Sequence, residues 1–239
     1  MPVARLRPIS PHIAAVDLHG RFQVAAFLVR HEDGLLLVDA GFPGWGYAIL
    51  TAASSLPEPT RITEIILTHA HADHIGGTPE IVEQTDATVL ASAEEKPFIE
   101  GRSLAKVAHG LGSRLTLALN HFTQQRRITG ICVDRTLAPG ESIHGLEVLA
   151  VPGHTPGQLA LIHRADGLIL CADALFNVAD TPGLDPVPGM TTDMTAALAS
   201  IEALMATGLE DLAPSHGPAI LGDAQAKLSG LHQRLKARR

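Results

Sequence analysis

Short apolar runs and helical repeats alternate along this chain, and their order predicts a layered α/β protein. Runs rich in Leu, Ile and Val with turn-forming residues at their ends are typical of strands. They cover the ranges 22–29, 34–39, 62–68, 87–91, 146–151, 158–163 and 167–171. Helical spacing covers 47–55, 78–84, 103–119, 193–208 and 223–239. The strands come in two groups with helices interspersed, which favours an α/β fold.

The overall composition indicates one folded domain with an ample core. The chain has 239 residues, of which 46% are hydrophobic and 18% are charged. Such values argue against long disordered segments. No repeat, low-complexity tract or linker divides the sequence. We therefore expect a single domain, 1–239, with a helical insertion around 97–127 that carries the Arg126-Arg127 pair.

Charge and cysteine usage restrict the classes of partner. The net charge is −7 and no long run of Lys or Arg occurs, whereas nucleic-acid binding requires clustered cations. The two cysteines, Cys132 and Cys171, lie far apart and imply no disulfide framework. Neither a signal peptide nor an apolar stretch of membrane-spanning length is evident. We expect a cytoplasmic protein that acts on a small molecule, with no nucleic-acid or membrane partner; its oligomeric state is open.

The densest group of potential metal ligands directly follows the strand predicted at 62–68. Its sequence is Thr68-His69-Ala70-His71-Ala72-Asp73-His74. His69 and His71 are two residues apart, so on an extended segment they point the same way. Asp73 and His74 come where the chain turns and can aim at a second nearby point. This group matches the ligand chemistry of zinc or a similar divalent ion, and the alternative is a solvated polar loop.

Metal ligands converge in space, so further donors are expected at other loop ends. His154 follows the strand predicted at 146–151, and Asp173 closes the strand predicted at 167–171. His216 lies in the turn Pro214-Ser215-His216-Gly217. Small or turn-forming residues surround each of them, which lets backbone pack closely against a site. Taken singly, each is a solvated loop residue as readily as a ligand; their occurrence together with the His69 group makes them candidates.

The ordered set of these residues resembles the metallo-β-lactamase superfamily, from Val38-Asp39-Ala40-Gly41 through to His216. The resemblance implies an αββα sandwich of two mixed β-sheets flanked by helices, with the metals at one edge of the sheets. It implies two divalent ions, with zinc expected first and iron or manganese as alternatives.

The resemblance also assigns the ligands. One ion would be held by His69, His71 and His154, and the second by Asp73, His74 and His216. Asp173 would bridge both ions. Asp39 matches a family position that orients ligands through hydrogen bonds.

By the same resemblance the protein is a metal-dependent hydrolase that attacks its substrate with a hydroxide held between the two ions. Asp173 and Asp73 are the candidate catalytic carboxylates, with Asp73 exchanging a proton with the leaving group. Two cations a few Å apart depress the pKa of a shared water and polarise the carbonyl that is attacked.

The bridging Asp173 separates the chain from the class B β-lactamases and makes it look more like glyoxalase II and the acyl-homoserine-lactone lactonases. It departs from both. The chain ends at Arg239 without the long C-terminal segment of glyoxalase II, and Phe176 stands where the lactonases have a Tyr. We expect hydrolysis of a small ester, thioester or lactone. Trp45, Tyr47 and Phe176 are the candidates for substrate contact, with ordinary packing as the alternative.

Two other functions compete with hydrolysis. The first is that of a persulfide dioxygenase-like oxidoreductase, whose single iron would use His69, His154 and Asp173. The second is a non-catalytic metal-binding protein, which the complete ligand set disfavours.

Overall fold

The structure is a computed structural model that describes residues 3–19, 23–103, 128, 130–178 and 184–237. The helix predicted at 103–119, the Arg126-Arg127 pair and most of the insertion predicted around 97–127 lie outside these residues. The chain forms two compact units, the first from the described residues up to Leu137 and the second from Ala138 onward. The single domain spanning 1–239 stays a prediction.

A mixed sheet forms the first unit, and its strands follow one another in sequence order. They are β1 Val3–Pro8, β2 Ile13–His19, β3 Gln23–His31, β4 Gly34–Val38, β5 Ile62–Leu67, β6 Thr88–Ser92 and β7 Arg135–Leu137. Strands β1 to β4 pair antiparallel, and the Asp33-Gly34 pair lies at the predicted hairpin between β3 and β4. Strands β4 to β7 pair parallel.

Helices connect the parallel strands of this unit, as crossover geometry requires. They are α1 Gly46–Ala53, α2 Ala72–Ile75, α3 Thr78–Thr85 and α4 Lys96–Ile99. Ile49 of α1 and Ile81 of α3 are buried in one apolar cluster with Leu37 of β4 and Ile65 of β5. Helix α3 begins at Thr78, where the spacing predicted it, with Gly77 as its N-cap residue.

The sequence pattern did not predict strands β1 and β2. Strand β2 contains a buried charge, which an ion pair with β1 compensates. Asp17 of β2 is buried, and Arg7 of β1 donates to both of its carboxylate oxygens at 2.8 Å. This hydrogen bond raises the pKa of the Arg7 guanidinium. A buried charge is tolerated when it is paired in this way.

The second unit contains another mixed sheet, with strand order β12-β11-β10-β9-β8. Its strands are β8 Ser142–Ile143, β9 Leu146–Ala150, β10 Leu159–His163, β11 Leu168–Ala172 and β12 Asp211–Pro214. The last two pair parallel and the others antiparallel. Strand β12 was expected to be a turn, since four residues are too few to show a period. The prediction of an α/β chain with two mixed sheets is confirmed.

Two long helices cover the core of this second unit, α5 Met194–Ala206 and α6 Ala224–Lys236. Asp193 ends the preceding loop and accepts hydrogen bonds from the N–H groups of Thr195 and Ala196, which caps α5. Leu204 of α5 and Leu228 of α6 are fully buried in the same cluster as Ile162 of β10. None of the helices in the described part of the chain has the length and hydropathy of a membrane-spanning segment.

Strand direction places the candidate ligands of each unit at one edge of its own sheet. In the first unit, β4, β5 and β6 are parallel, so their carboxyl ends lie together. In the second unit, β9, β11 and β12 run in one direction because β10 is antiparallel to both β9 and β11. Carboxyl ends of strands are where α/β proteins assemble their sites.

Replacing Leu204 with Ala should destabilise the second unit by about 2–5 kcal/mol, because a cavity remains in its core. Chemical denaturation monitored by circular dichroism measures the effect. Leu221→Ala is the matched control, since Leu221 lies in the same unit and is 57% exposed. Equal denaturation midpoints for the two variants would contradict the assigned core.

Candidate metal centre

The first unit brings four of the predicted ligands together directly beyond β5; we name His69, His71, Asp73 and His74 the His69 cluster. His69 and His71 lie on the segment that leaves the strand, and Asp73 and His74 lie in α2. All three imidazoles are buried. Ligand atoms of His69 and His71 lie within 4.8 Å of one another, as do those of His69 and His74 and those of Asp73 and His74.

Ring geometry within the His69 cluster fits a shared cation. His69 Nε2 and His71 Nδ1 are 3.1 Å apart, with their rings inclined at 78°. Two nitrogens bonded at about 2.0 Å to a tetrahedral zinc ion are about 3.3 Å apart. The spacing therefore suits two ligands of one ion.

Asp39, the residue directly after β4, contacts the His69 cluster. Its carboxylate lies 2.8 Å from His74 Nδ1 and accepts hydrogen bonds from the N–H and hydroxyl of Thr68. A hydrogen bond from Nδ1 to a carboxylate leaves Nε2 of His74 as the ligand atom. Asp73 Oδ2 lies 3.7 Å from that Nε2, so the two donor atoms approach the same point.

In the second unit the structure brings together the other three predicted ligands, His154, Asp173 and His216, which we name the Asp173 cluster. They follow β9, β11 and β12, respectively. Asp173 Oδ2 lies 3.5 Å from His154 Nε2 and 3.4 Å from His216 Nε2. These spacings match the distances between ligands around a zinc-like ion, and a carboxylate oxygen placed between two imidazoles suits a bridging role.

Glycines on both sides of the Asp173 cluster allow close backbone packing. A Cβ on Gly153, before His154, would lie 2.7 Å from the backbone of Ala197 in α5. A Cβ on Gly217, after His216, would lie 1.8 Å from the carbonyl oxygen of Asn177, and the φ angle of Gly217 is +101°. Larger residues at these two positions would displace the loops that carry the imidazoles.

Phe176 packs against both imidazoles of the Asp173 cluster. Its ring stacks on His216 at 5.3 Å with an interplanar angle of 14°, and it meets His154 edge-on at 5.8 Å. Phe176 is buried. Cys171, two residues before Asp173, lies in the apolar core of the unit, where burial raises the pKa of its thiol. It is a neutral filler there, and both cysteines of the chain are free.

The other two candidates for substrate contact follow Asp39 in the first unit. Trp45 is partly buried against the core and meets Phe42 edge-on at 5.1 Å. Tyr47 is 45% exposed in the first turn of α1. Substrate contact by Trp45, Tyr47 or Phe176 stays a prediction.

One carboxylate that the sequence pattern did not single out holds the Trp45 loop, residues 41–46. Glu80 of α3 accepts hydrogen bonds from the N–H of Gly44 at 2.7 Å and of Gly46 at 2.8 Å. The N–H of Gly77 also donates to the carbonyl of Gly41. An acidic residue in a first helical turn is common for reasons of the helix dipole, so its sequence position gave no signal of this contact.

These two largely buried His/Asp clusters, each at the carboxyl ends of strands, define a metal-binding protein of the α/β class. Residues 19–216 match the family model of the Metallo-beta-lactamase superfamily. The chain therefore belongs to the metallo-β-lactamase superfamily, and the fold expected from the sequence is confirmed. Membership makes it a metallo-hydrolase in the broad sense and agrees with the His/Asp ligand set.

Individual relatives agree with this assignment. The chain is 30% identical to the probable metallo-hydrolase YflN of Bacillus subtilis, with 99% of this chain and 98% of that protein aligned. It is also 30% identical to a hydroxyacylglutathione hydrolase of Pseudomonas aeruginosa, over 60% of this chain and 45% of that protein.

Solved structures show the same fold. A metallo-beta-lactamase from Pontibacter korlensis has a TM-score of 0.72 at 19% identity, covering 98% of this chain and 99% of that one. TTHA1623 in a di-iron-bound form has a TM-score of 0.66 at 27% identity, covering 92% and 97%.

Replacing Glu80 with Ala should loosen the Trp45 loop, because two backbone N–H groups lose their acceptor. We expect a loss of about 1–2 kcal/mol in stability and greater quenching of Trp45 fluorescence by acrylamide. Trp45 is the one Trp of the chain, so its emission reports this loop alone. Glu83→Ala on the exposed side of α3 is the control; identical quenching in the two variants would show that Glu80 does not hold the loop.

Proposed function

We propose that the protein is a dinuclear metallohydrolase that cleaves a small ester, thioester or lactone. The observation that carries this proposal is the complete ligand set, with His69, His71, Asp73 and His74 clustered in one unit and His154, Asp173 and His216 in the other. Each cluster has donor spacings that suit a divalent ion. Membership in the metallo-β-lactamase superfamily supports the combination of both clusters into one site.

In this proposal the two clusters contribute jointly to each ion. His69, His71 and His154 would hold one ion, and Asp73, His74 and His216 would hold the other. Asp173 would be a ligand of both, and its negative charge would reduce the repulsion between the cations. Zinc is the first expectation, because imidazole and carboxylate ligands suit it. Iron is the strongest alternative, since TTHA1623 was solved in a di-iron-bound form.

When bound, two divalent ions supply Lewis acidity and a water whose pKa is lowered toward neutrality. The chain's own residues then have distinct tasks. Asp39 fixes the tautomer and ring orientation of His74 through Nδ1. The side chain of His74 is fully buried, whereas that of Asp73 is 23% exposed. The carboxylate of Asp73 can therefore exchange a proton with the leaving group and with solvent.

The substrate class is inferred from the hydrogen-bond donors that lie beside the Asp173 cluster. Phe176 has no hydroxyl, and its ring stacks on His216. It therefore supplies no hydrogen bond to a substrate carbonyl, which weakens the case for a lactone and favours substrates that need no such donor. The similarity to a hydroxyacylglutathione hydrolase supports a thioester. The net charge of −7 supports a small-molecule substrate rather than nucleic acid, and we propose no membrane partner.

Elemental analysis combined with a substrate panel tests this function. The panel contains a glutathione thioester, acyl-homoserine lactones, a chromogenic cephalosporin and glutathione persulfide. We expect two metal ions per chain and oxygen-independent hydrolysis of a thioester, ester or lactone. One iron per chain with sulfite formation from the persulfide would instead establish the dioxygenase-like alternative. Failure to hydrolyse a broad ester panel with metals loaded would point to a non-catalytic protein.

The Asp173→Ala variant should lose most metal from one or both sites and nearly all turnover, because both ions lose a shared anionic ligand. Metal content per chain and kcat are the measurements. Asp223→Ala is the control in the same unit, since the Asp223 side chain is 52% exposed and forms an ion pair with Lys227. Full activity and metal content in Asp173→Ala would reject the bridging role.

A further inference from the structure

A second buried carboxylate contacts the backbone of the His69 cluster. Glu95 precedes α4 in the loop after β6, and the residue is only 1% exposed. Its Oε2 accepts a hydrogen bond of 3.0 Å from the backbone N–H of Ala70. Ala70 is the residue between His69 and His71, and it is fully buried. The contact therefore joins β6 to the middle of the His-x-His segment.

The backbone of Glu95 is itself firmly held. Its N–H donates to the hydroxyl of Ser92 at 3.1 Å. Its carbonyl accepts from the N–H groups of Phe98 at 2.9 Å and Ile99 at 3.0 Å, which form the first turn of α4. The backbone of Glu95 is therefore fixed at the start of α4, and burial limits the rotamers that its side chain can adopt.

Glu95 and Asp39 take similar roles on opposite sides of β5. Strand β5 lies between β4 and β6 in the sheet, and its pairing stops at Leu67. Buried N–H groups beyond that point require other acceptors. Asp39, after β4, accepts from the N–H of Thr68, and Glu95, after β6, accepts from the N–H of Ala70. The two carboxylates thus continue the hydrogen bonding of the sheet along the segment that carries the imidazoles.

We propose that Glu95 is a positioning residue of the metal centre, which fixes the spacing and aim of His69 and His71 by holding the peptide between them. This inference rests on the proposed function. Holding the N–H of Ala70 fixes the plane of the 69–70 peptide, and both histidine backbones are bonded to Ala70. The 3.1 Å separation of His69 Nε2 and His71 Nδ1 is the geometry that Glu95 maintains.

Metal binding by Glu95 variants tests this role without an activity assay. Affinity for Zn²⁺ is measured by competition with a chromophoric chelator, and the absorption spectrum of bound Co²⁺ reports ligand geometry. Loss of a group that orients metal ligands weakens binding by about 10- to 100-fold, and we expect a loss in this range for Glu95→Ala. Its Co²⁺ spectrum should change as well. Glu94→Ala is the matched control, since Glu94 is the exposed neighbour, and it should behave as wild type.

Two conservative variants separate the hydrogen bond from the charge. Glu95→Gln keeps an oxygen at the same reach, so it should bind Zn²⁺ within a few-fold of wild type and keep the Co²⁺ spectrum. Glu95→Asp keeps the charge but is one methylene shorter, so it should be weaker than Glu95→Gln. This comparison also serves if Glu95→Ala fails to fold.

The outcomes distinguish this inference from the proposed function. Wild-type affinity and Co²⁺ spectrum in Glu95→Ala, with only a lower melting temperature, would show a purely structural role and overturn the inference alone. Glu95→Gln binding as weakly as Glu95→Ala would overturn it too, because the hydrogen bond would not be the cause. Absence of Zn²⁺ and Co²⁺ binding by the wild-type protein would remove the proposed function and this inference together.

Discussion

The carboxylate of Asp39 holds the end of one strand to the start of the ligand segment on the next. It is nearly fully buried, and it accepts from Thr68 and lies 2.8 Å from His74 Nδ1. A buried carboxylate is costly unless hydrogen bonds and charges compensate it, and here its partners are Thr68 and His74, at the two ends of the segment that carries the candidate ligands. The φ angle of Asp39 is +61°, a left-handed conformation that Asp adopts more readily than most residues. Chain geometry and ligand orientation therefore depend on one side chain.

In both units, polar groups are placed beside a mainly apolar core. Each unit buries leucines, isoleucines and valines under helices and carries its candidate ligands beyond the strand ends, where the sheet pairing stops. At these ends side chains such as Asp39 and Glu95 serve as acceptors for backbone N–H groups that have left the ladder. Asp39 also contacts the imidazole of His74 directly, and Glu95 is proposed to position His69 and His71. In the proposed enzyme, cations compensate the negative charge that accumulates there.

Much of the fold was predictable, because a short apolar run bounded by turn-forming residues is compatible with few structures other than a buried strand. The runs at 34–39 and 62–68 became β4 and β5 to within a residue, and the hairpin at Asp33-Gly34 formed as expected. Strands β2 and β12 were not predicted, for different reasons. Strand β2 contains alanines and a buried Asp17, whose charge is compensated by Arg7 of the neighbouring strand. Strand β12 is short and becomes a strand by pairing with β11.

The sequence by itself identified the residues of the candidate metal centre. Residues two or five apart on a segment that leaves a strand are neighbours in any fold, so the His69 cluster was visible from spacing, and the family resemblance added His154, Asp173 and His216. Only the tertiary structure decided which groups contact the candidate ligands, their backbone and the loop after Asp39. Glu95 reaches Ala70, Glu80 reaches Gly44 and Phe176 stacks on His216. Such contacts join residues that are distant in sequence, and strand order and direction bring them together; no local pattern encodes them.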